Sequence, residues 1–93
     1  DFKGRIVEKW GSLSGYAVRL KELSPVQDMR PNSRKVVNLK DENNFEQVFD
    51  FVYQIRCNLF HGAKNVKNAR DAELVSRSAK FMRACIDAWM YRD

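Results

Sequence analysis

An arginine and the chain's single histidine stand five positions apart in the run Arg56-Cys57-Asn58-Leu59-Phe60-His61-Gly62. An imidazole passes a proton near neutral pH, and a planar guanidinium holds two phosphate oxygens as charge builds on them. Together they suit attack of an RNA 2′-hydroxyl on the neighbouring phosphate without a metal. One imidazole serves as base or as acid, so two copies of the chain related by symmetry would supply both.

The spacing constrains this chemistry. On a continuous helix five positions correspond to about 500°, so Arg56 and His61 would point roughly 140° apart and share no face. Gly62 directly after His61 is expected to end the helix and let the imidazole turn relative to Arg56. The negative end of the helix would favour the protonated form of a group whose reference pKa is about 6.5. A structural reading stands beside the catalytic one. His61 would then cap the last carbonyls, and Arg56 would pair with an acid such as Asp50.

Other candidates surround this pair. Tyr53, about one turn before Arg56, could orient the arginine, stack on a base, or simply pack. Lys64, Lys67 and Arg70 follow closely and could hold RNA phosphates or be solvated. Cys57 lacks a base to activate it as a nucleophile. Two cysteines and one histidine make neither a disulfide framework nor a zinc set, so both thiols are expected to be free, and no metal or cofactor is expected.

The elements that must position these residues follow from periodicity. Apolar residues at 45, 48, 49, 52, 55, 59 and 60 predict an amphipathic helix over about 43–61, capped by Asp41 or Asn43. A second long helix is predicted over 71–91, capped from Asn68, with Leu74, Val75, Ser78, Phe81, Met82, Cys85, Ile86 and Trp89 on one side. Gly11-Ser12-Leu13-Ser14-Gly15 predicts a break between a helix over about 2–10 and another over about 13–24. Tyr16, Leu20 and Leu23 would form the apolar side of that second helix. Residues 25–42 read as a loop in which Val36-Val37-Asn38-Leu39 could be extended. Trp10, Phe81 and Trp89 are expected in the core.

Ninety-three residues bound this to one domain over 1–93, and a chain opening at Asp1 could be a piece of a longer protein. The expected fold is all-α, a small antiparallel bundle of four to five helices. Its core would be modest, so a symmetric homodimer is expected. Seventeen Lys and Arg against twelve Asp and Glu leave a net charge of +5, concentrated in residues 30–40 and 62–83, which suits RNA as a partner. No apolar run reaches the roughly 18 residues that would span a bilayer. No signal peptide opens the chain, so no membrane role and a cytoplasmic location are expected.

Residues 52–64 (Val52-Tyr53-Gln54-Ile55-Arg56-Cys57-Asn58-Leu59-Phe60-His61-Gly62-Ala63-Lys64), followed by Arg70-Asp71-Ala72-Glu73-Leu74-Val75, resemble the HEPN superfamily and most closely its Apea-like branch. The resemblance covers about residues 45–90. It implies an all-helical homodimer with a groove between the two Arg-His segments and, in active members, a metal-independent endoribonuclease. Such domains act as toxins held by an antitoxin partner, as antiviral effectors or in RNA processing. The family arginine corresponds to Arg56 and its histidine to His61, and the polar residue usually following the arginine has its nearest counterpart in Asn58. Cys57 stands directly after Arg56, where Asn, Asp or His is more usual. The alternative is a noncatalytic module for dimerisation or for binding RNA or nucleotide within a larger protein.

Overall fold

Apolar residues at helical spacing have little choice but to bury a common stripe, and among the described residues four helices do so. The computed structural model describes residues 2–28, 32–61 and 69–90, and of Phe60 and His61 it describes the backbone. In chain order the elements are α1 (Phe2–Glu8), α2 (Trp10–Lys21), β1 (Val26–Gln27), β2 (Val36–Val37), α3 (Phe45–His61) and α4 (Ala69–Met90). The mostly helical architecture matches the expectation from periodicity. The two-stranded sheet adds to it.

The first helix break lies at Lys9 and not at the glycines. Gly11 and Gly15 are both inside α2, where a Cβ built on either would meet no atom within 4 Å. Glycine lowers helix propensity without forbidding it, and tertiary burial of Leu13, Ala17 and Leu20 decides the outcome. Of the expected line Leu20 is fully buried, whereas Tyr16 is exposed and Leu23 only packs on the core's edge, so Leu13 and Ala17 complete the buried side.

α3 starts from a different cap than expected. Asn44 supplies it, its Oδ1 accepting the Gln47 amide at 3.1 Å, while Asp41 closes the preceding turn by accepting the Asn43 amide at 2.9 Å. Gln47 reaches back in turn, and its Oε1 accepts the amides of Lys40 and Asp41. The incoming chain is thereby tied to the first turn of α3. The expected caps at Gly62 and Asn68 are outside the described residues, and α4 begins at Ala69, two residues earlier than periodicity indicates.

Phe51, Phe81, Ile6, Leu20, Val48 and Cys85 are the largest fully buried side chains. Around them Trp10, Phe45, Phe49, Phe81 and Phe2 form a chain of ring contacts with centroids 4.5 to 6.5 Å apart, within the range of favourable aromatic pairs. Trp89 departs from expectation. Its ring makes an edge contact with Phe2 at 5.4 Å, but it lies at the end of α4 and stays 48% exposed among the described residues.

Contacts along α4 fix its direction. Arg77 donates to Arg19 O, Trp10 meets Phe81, and Arg5 donates to Ala88 O, so α2 and α1 descend as α4 ascends. Phe49 on α3 contacts Phe81 at 5.4 Å, and Phe49 precedes His61 by the same twelve residues that separate Ala69 from Phe81. An antiparallel pair therefore brings the facing ends of α3 and α4 level. The far end of the pair is where Arg56 and His61 belong.

The segment expected to be mainly loop carries an antiparallel hairpin. Val26 pairs with Val37 and Gln27 with Val36, and the Asp28 amide donating to Lys35 O at 2.9 Å carries the pairing one step further. Both strands pack on α3. Its base is held by Ser24 Oγ, which accepts the Leu39 amide at 2.7 Å beside the cis Ser24–Pro25 peptide.

Candidate functional site

α3 is buried through Val48, Phe51, Val52, Gln54 and Ile55, and the ridge opposite carries Glu46, Asp50, Tyr53 and Arg56. Arg56 lies two turns beyond Phe49, within about 20° of it around the helix. Phe49 contacts Phe81 and Phe2, so Arg56 occupies the flank of α3 that borders α4. The arginine is exposed, and none of the described carboxylates pairs with it. Asp50, six positions earlier, is about 120° away around the helix and cannot take that part.

His61 is the last residue of α3. Its position is two turns beyond Gln54 and about 20° from it, which is the flank bordering the hairpin. Helical geometry thus persists across the whole interval, and the backbone carries Arg56 and His61 on opposite flanks of one ridge. Tyr53, on that ridge, is 66% exposed.

Asn58 is not a neighbour of Arg56. It lies about 160° away around the helix, and both ends of its amide are engaged. Nδ2 donates to Gln27 O at 2.7 Å, and Oδ1 accepts Gln54 Nε2 at 2.9 Å. Gln54 is 5% exposed, so this pair places the polar groups of α3 against the hairpin with a partner for each. Asn58 fastens β1 to α3.

Arg70 is also engaged in holding the fold. Its Nη2 donates to Leu23 O at 2.5 Å and Pro25 O at 2.6 Å, tying the start of α4 to the chain that leaves α2. Seven residues along α4, Arg77 repeats the device. It donates to Arg19 O at 2.7 Å, Glu22 at 2.8 Å and Glu73 at 2.9 Å, and the bond to Glu73, the burial-opposed leading cause, raises its already high pKa. Lys64 and Lys67 are outside the described residues.

The remaining ionisable groups separate into bound and unbound. Lys3, Arg5, Arg19, Lys21 and Arg77 have carboxylate partners, whereas Lys9, Arg34, Lys35, Lys40, Arg56, Lys80 and Arg83 have none among the described residues. Glu42, accepting from Lys21 at 3.0 Å, has its carboxyl pKa lowered first by a backbone hydrogen bond and then by that lysine. Both cysteines are free thiols, and burial pushes the Cys85 thiol up to about 12. Cys57 is half-buried on α3 next to Arg56.

Periodicity located Arg56 and His61 on α3, and the structure sets them on opposite flanks with Tyr53, one turn before Arg56, on the ridge between. The basic segment over residues 30–40, which its charge marks as suiting RNA, includes Arg34 and Lys35, two cations that follow a turn residue, Asn32, with positive φ. The chain matches no family model, no curated protein and no solved structure. No helix among the described residues is long and apolar enough to cross a membrane.

Proposed function

We propose that this domain is a metal-independent endoribonuclease that works as a symmetric homodimer. The observation that carries this reading is Arg56, an exposed guanidinium with no carboxylate partner among the described residues, set at the end of the helix that also carries His61. A cation serving the fold would be paired, as Arg77 is. An unpaired guanidinium accepts two phosphate oxygens in a bidentate fork.

In the proposed reaction one His61 takes the proton from a ribose 2′-hydroxyl, whose oxygen attacks the adjacent phosphorus. The P–O5′ bond breaks, the second copy's His61 protonates the leaving 5′-oxygen, and a 2′,3′-cyclic phosphate remains. Arg56 binds the non-bridging oxygens as their charge rises. Separation of Arg56 and His61 on opposite flanks of α3 is the reason for a second copy, because a single helix offers one phosphate either the guanidinium or the imidazole. The resemblance to HEPN domains supports the same arrangement.

Incubating the protein with RNA in EDTA tests this reading. Fragments ending in 2′,3′-cyclic phosphate are expected, lost in both Arg56→Ala and His61→Ala, from a protein that sediments as a dimer. Cleavage that survives both substitutions removes the assignment.

A second reading is favoured by Asn58 and Cys57. With Asn58 bonded to β1 and a half-buried thiol directly following Arg56, neither residue 57 nor residue 58 gives the arginine a polar companion. A noncatalytic RNA-binding module needs none. Salt-dependent RNA binding without products under any condition identifies that case.

A further inference from the structure

Unbound cations are the part of this surface that the fold leaves without a task, and two of them are adjacent. Arg34 and Lys35 lie between the hairpin turn and β2, both exposed. Their place relative to α3 can be derived. The amides of Lys40 and Asp41 meet Gln47 near the start of α3, and Gln27, opposite Val36, meets Asn58 eleven residues later. Moving from residue 40 down to 36 therefore runs toward the C-terminal end of α3. The lengths agree, since four strand residues span about 13 Å and eleven helical residues about 16 Å.

One more strand residue brings Lys35 to about the level of residues 60 and 61. Its facing follows from the pleat. Val26 and Asp28 are buried while Gln27 between them is exposed, and directly paired residues of antiparallel strands share a face. Lys35 pairs with Asp28, so it lies on the side of the hairpin that faces α3. The flank of α3 nearest the hairpin is the one that holds the His61 position.

Residues 27, 28, 33 and 35 of the hairpin are held in this place. Ser33 Oγ donates to the buried Asp28 carboxylate at 3.0 Å and accepts the Lys35 amide at 3.3 Å, and Asn58 holds the Gln27 carbonyl. Asp28 is thus engaged within its own turn, and no described carboxylate pairs with Arg34 or Lys35.

We infer that Lys35, on the side of the hairpin that faces α3, and Arg34, on its outer side, form a phosphate-binding arm that holds the backbone of a single-stranded RNA beside the His61 end of α3. This rests on the reading that RNA is the ligand of the Arg56 and His61 surface. The arm contributes no proton transfer. It positions the strand on the histidine flank while Arg56 holds phosphate on the other, so the strand crosses the Tyr53 ridge between them. A single strand fits a ridge with an exposed aromatic ring, because an unpaired base stacks where a duplex cannot.

The test compares Arg34→Ala/Lys35→Ala with Lys9→Ala/Lys80→Ala, which removes equal charge from unbound cations on α4 and the α1–α2 junction. Binding of a fluorescein-labelled single-stranded RNA carrying 2′-O-methyl groups, which block cleavage, is followed by anisotropy over a range of salt. The hairpin variant should bind about tenfold more weakly and lose about 1.4 from the salt slope, at about 0.7 per phosphate contact on a single strand. With cleavable RNA its KM rises while the single-turnover rate at saturation holds. The control variant should change each quantity far less.

Equal effects of the two variants overturn the arm and leave the cleavage reading standing if Arg56→Ala and His61→Ala still abolish products. Hairpin-dependent binding by a protein that never cleaves keeps the arm and removes the nuclease. Absence of any RNA binding by the wild-type protein removes both. Circular dichroism checks that each variant folds, as expected for side chains that are exposed or, at Lys9, partly so.

Discussion

Asn58 donates from Nδ2 to the Gln27 carbonyl at 2.7 Å, and this single bond joins the last turns of α3 to the hairpin. A side chain that resembles a site residue in sequence is here a fastening. Asn58→Ala removes the donor to an exposed strand carbonyl and strips the buried Gln54 amide of its acceptor, so unfolding free energy should drop by about 1–3 kcal/mol. Urea denaturation checks this. Products per folded molecule should stay near the wild-type value, and their loss with unchanged stability would return Asn58 to the site.

Gly11→Ala and Gly15→Ala should each stabilise the protein by about 0.5–1 kcal/mol. Both sit inside α2 with open space around the added methyl, and alanine restricts the unfolded chain while favouring the helix. A Tm that rises for either variant and adds in the double variant fits. A fall would mean that α2 does not run unbroken through these positions.

Phe81→Ala should be the most damaging of the aromatic truncations. Phe81 is fully buried and touches both Trp10 and Phe49, which joins α2, α3 and α4 at one point. Core Phe→Ala changes cost about 3–5 kcal/mol, a large share of the stability of a domain this size. Trp89→Ala, from a half-exposed ring, should cost clearly less in the same denaturation experiment.

The two thiols should separate by reactivity. Cys85 is fully buried, and its pKa is pushed up to about 12, so almost no thiolate forms at pH 8. A native protein should label once with a thiol reagent, at Cys57, and twice only in denaturant. Because the folded pKa is the raised one, the protonated Cys85 thiol favours the fold fully below the unfolded thiol pKa of about 8.5. That contribution is lost as pH rises from there through about 12. Cys85→Ala should accordingly weaken the alkaline loss of stability.

Arg77→Ala should lower Tm more than Lys80→Ala, three positions along α4. Arg77 bridges Arg19 O, Glu22 and Glu73, whereas Lys80 is exposed with no carboxylate partner among the described residues. Equal shifts would show that the bridge contributes nothing beyond its charge.

Much of this was legible in the sequence for a physical reason. α3 and the middle of α4 bury apolar side chains at strict helical spacing, so periodicity located Val48, Val52, Ile55, Leu74, Phe81 and Cys85 in advance. The break at Lys9 was not legible, because propensity marks Gly11 and Gly15 as weak points while burial of Leu13 and Ala17 overrides them. The hairpin was legible only in its second strand. Pairing with Val26–Gln27 depends on α3 providing a surface that neither two-residue strand could supply alone. For the candidate site, the helix carrying Arg56 and His61 could be read directly, whereas the engagement of Asn58 and Arg70 with distant carbonyls requires partners 31 to 47 residues away.

The bond from Asn58 reaches a main-chain carbonyl, and a carbonyl is the same whatever side chain stands at position 27. The hairpin is therefore held by its backbone at that point, and the identities of the exposed residues along its tip are released from any duty to the fold. Variation at 34 and 35 would change what a ligand meets there without loosening the hairpin, whereas Asn32 keeps a positive φ that few side chains tolerate. In engineering terms the hairpin is an interchangeable tool head on a fixed shank, and ligand preference could be rewritten there while the helices remain untouched.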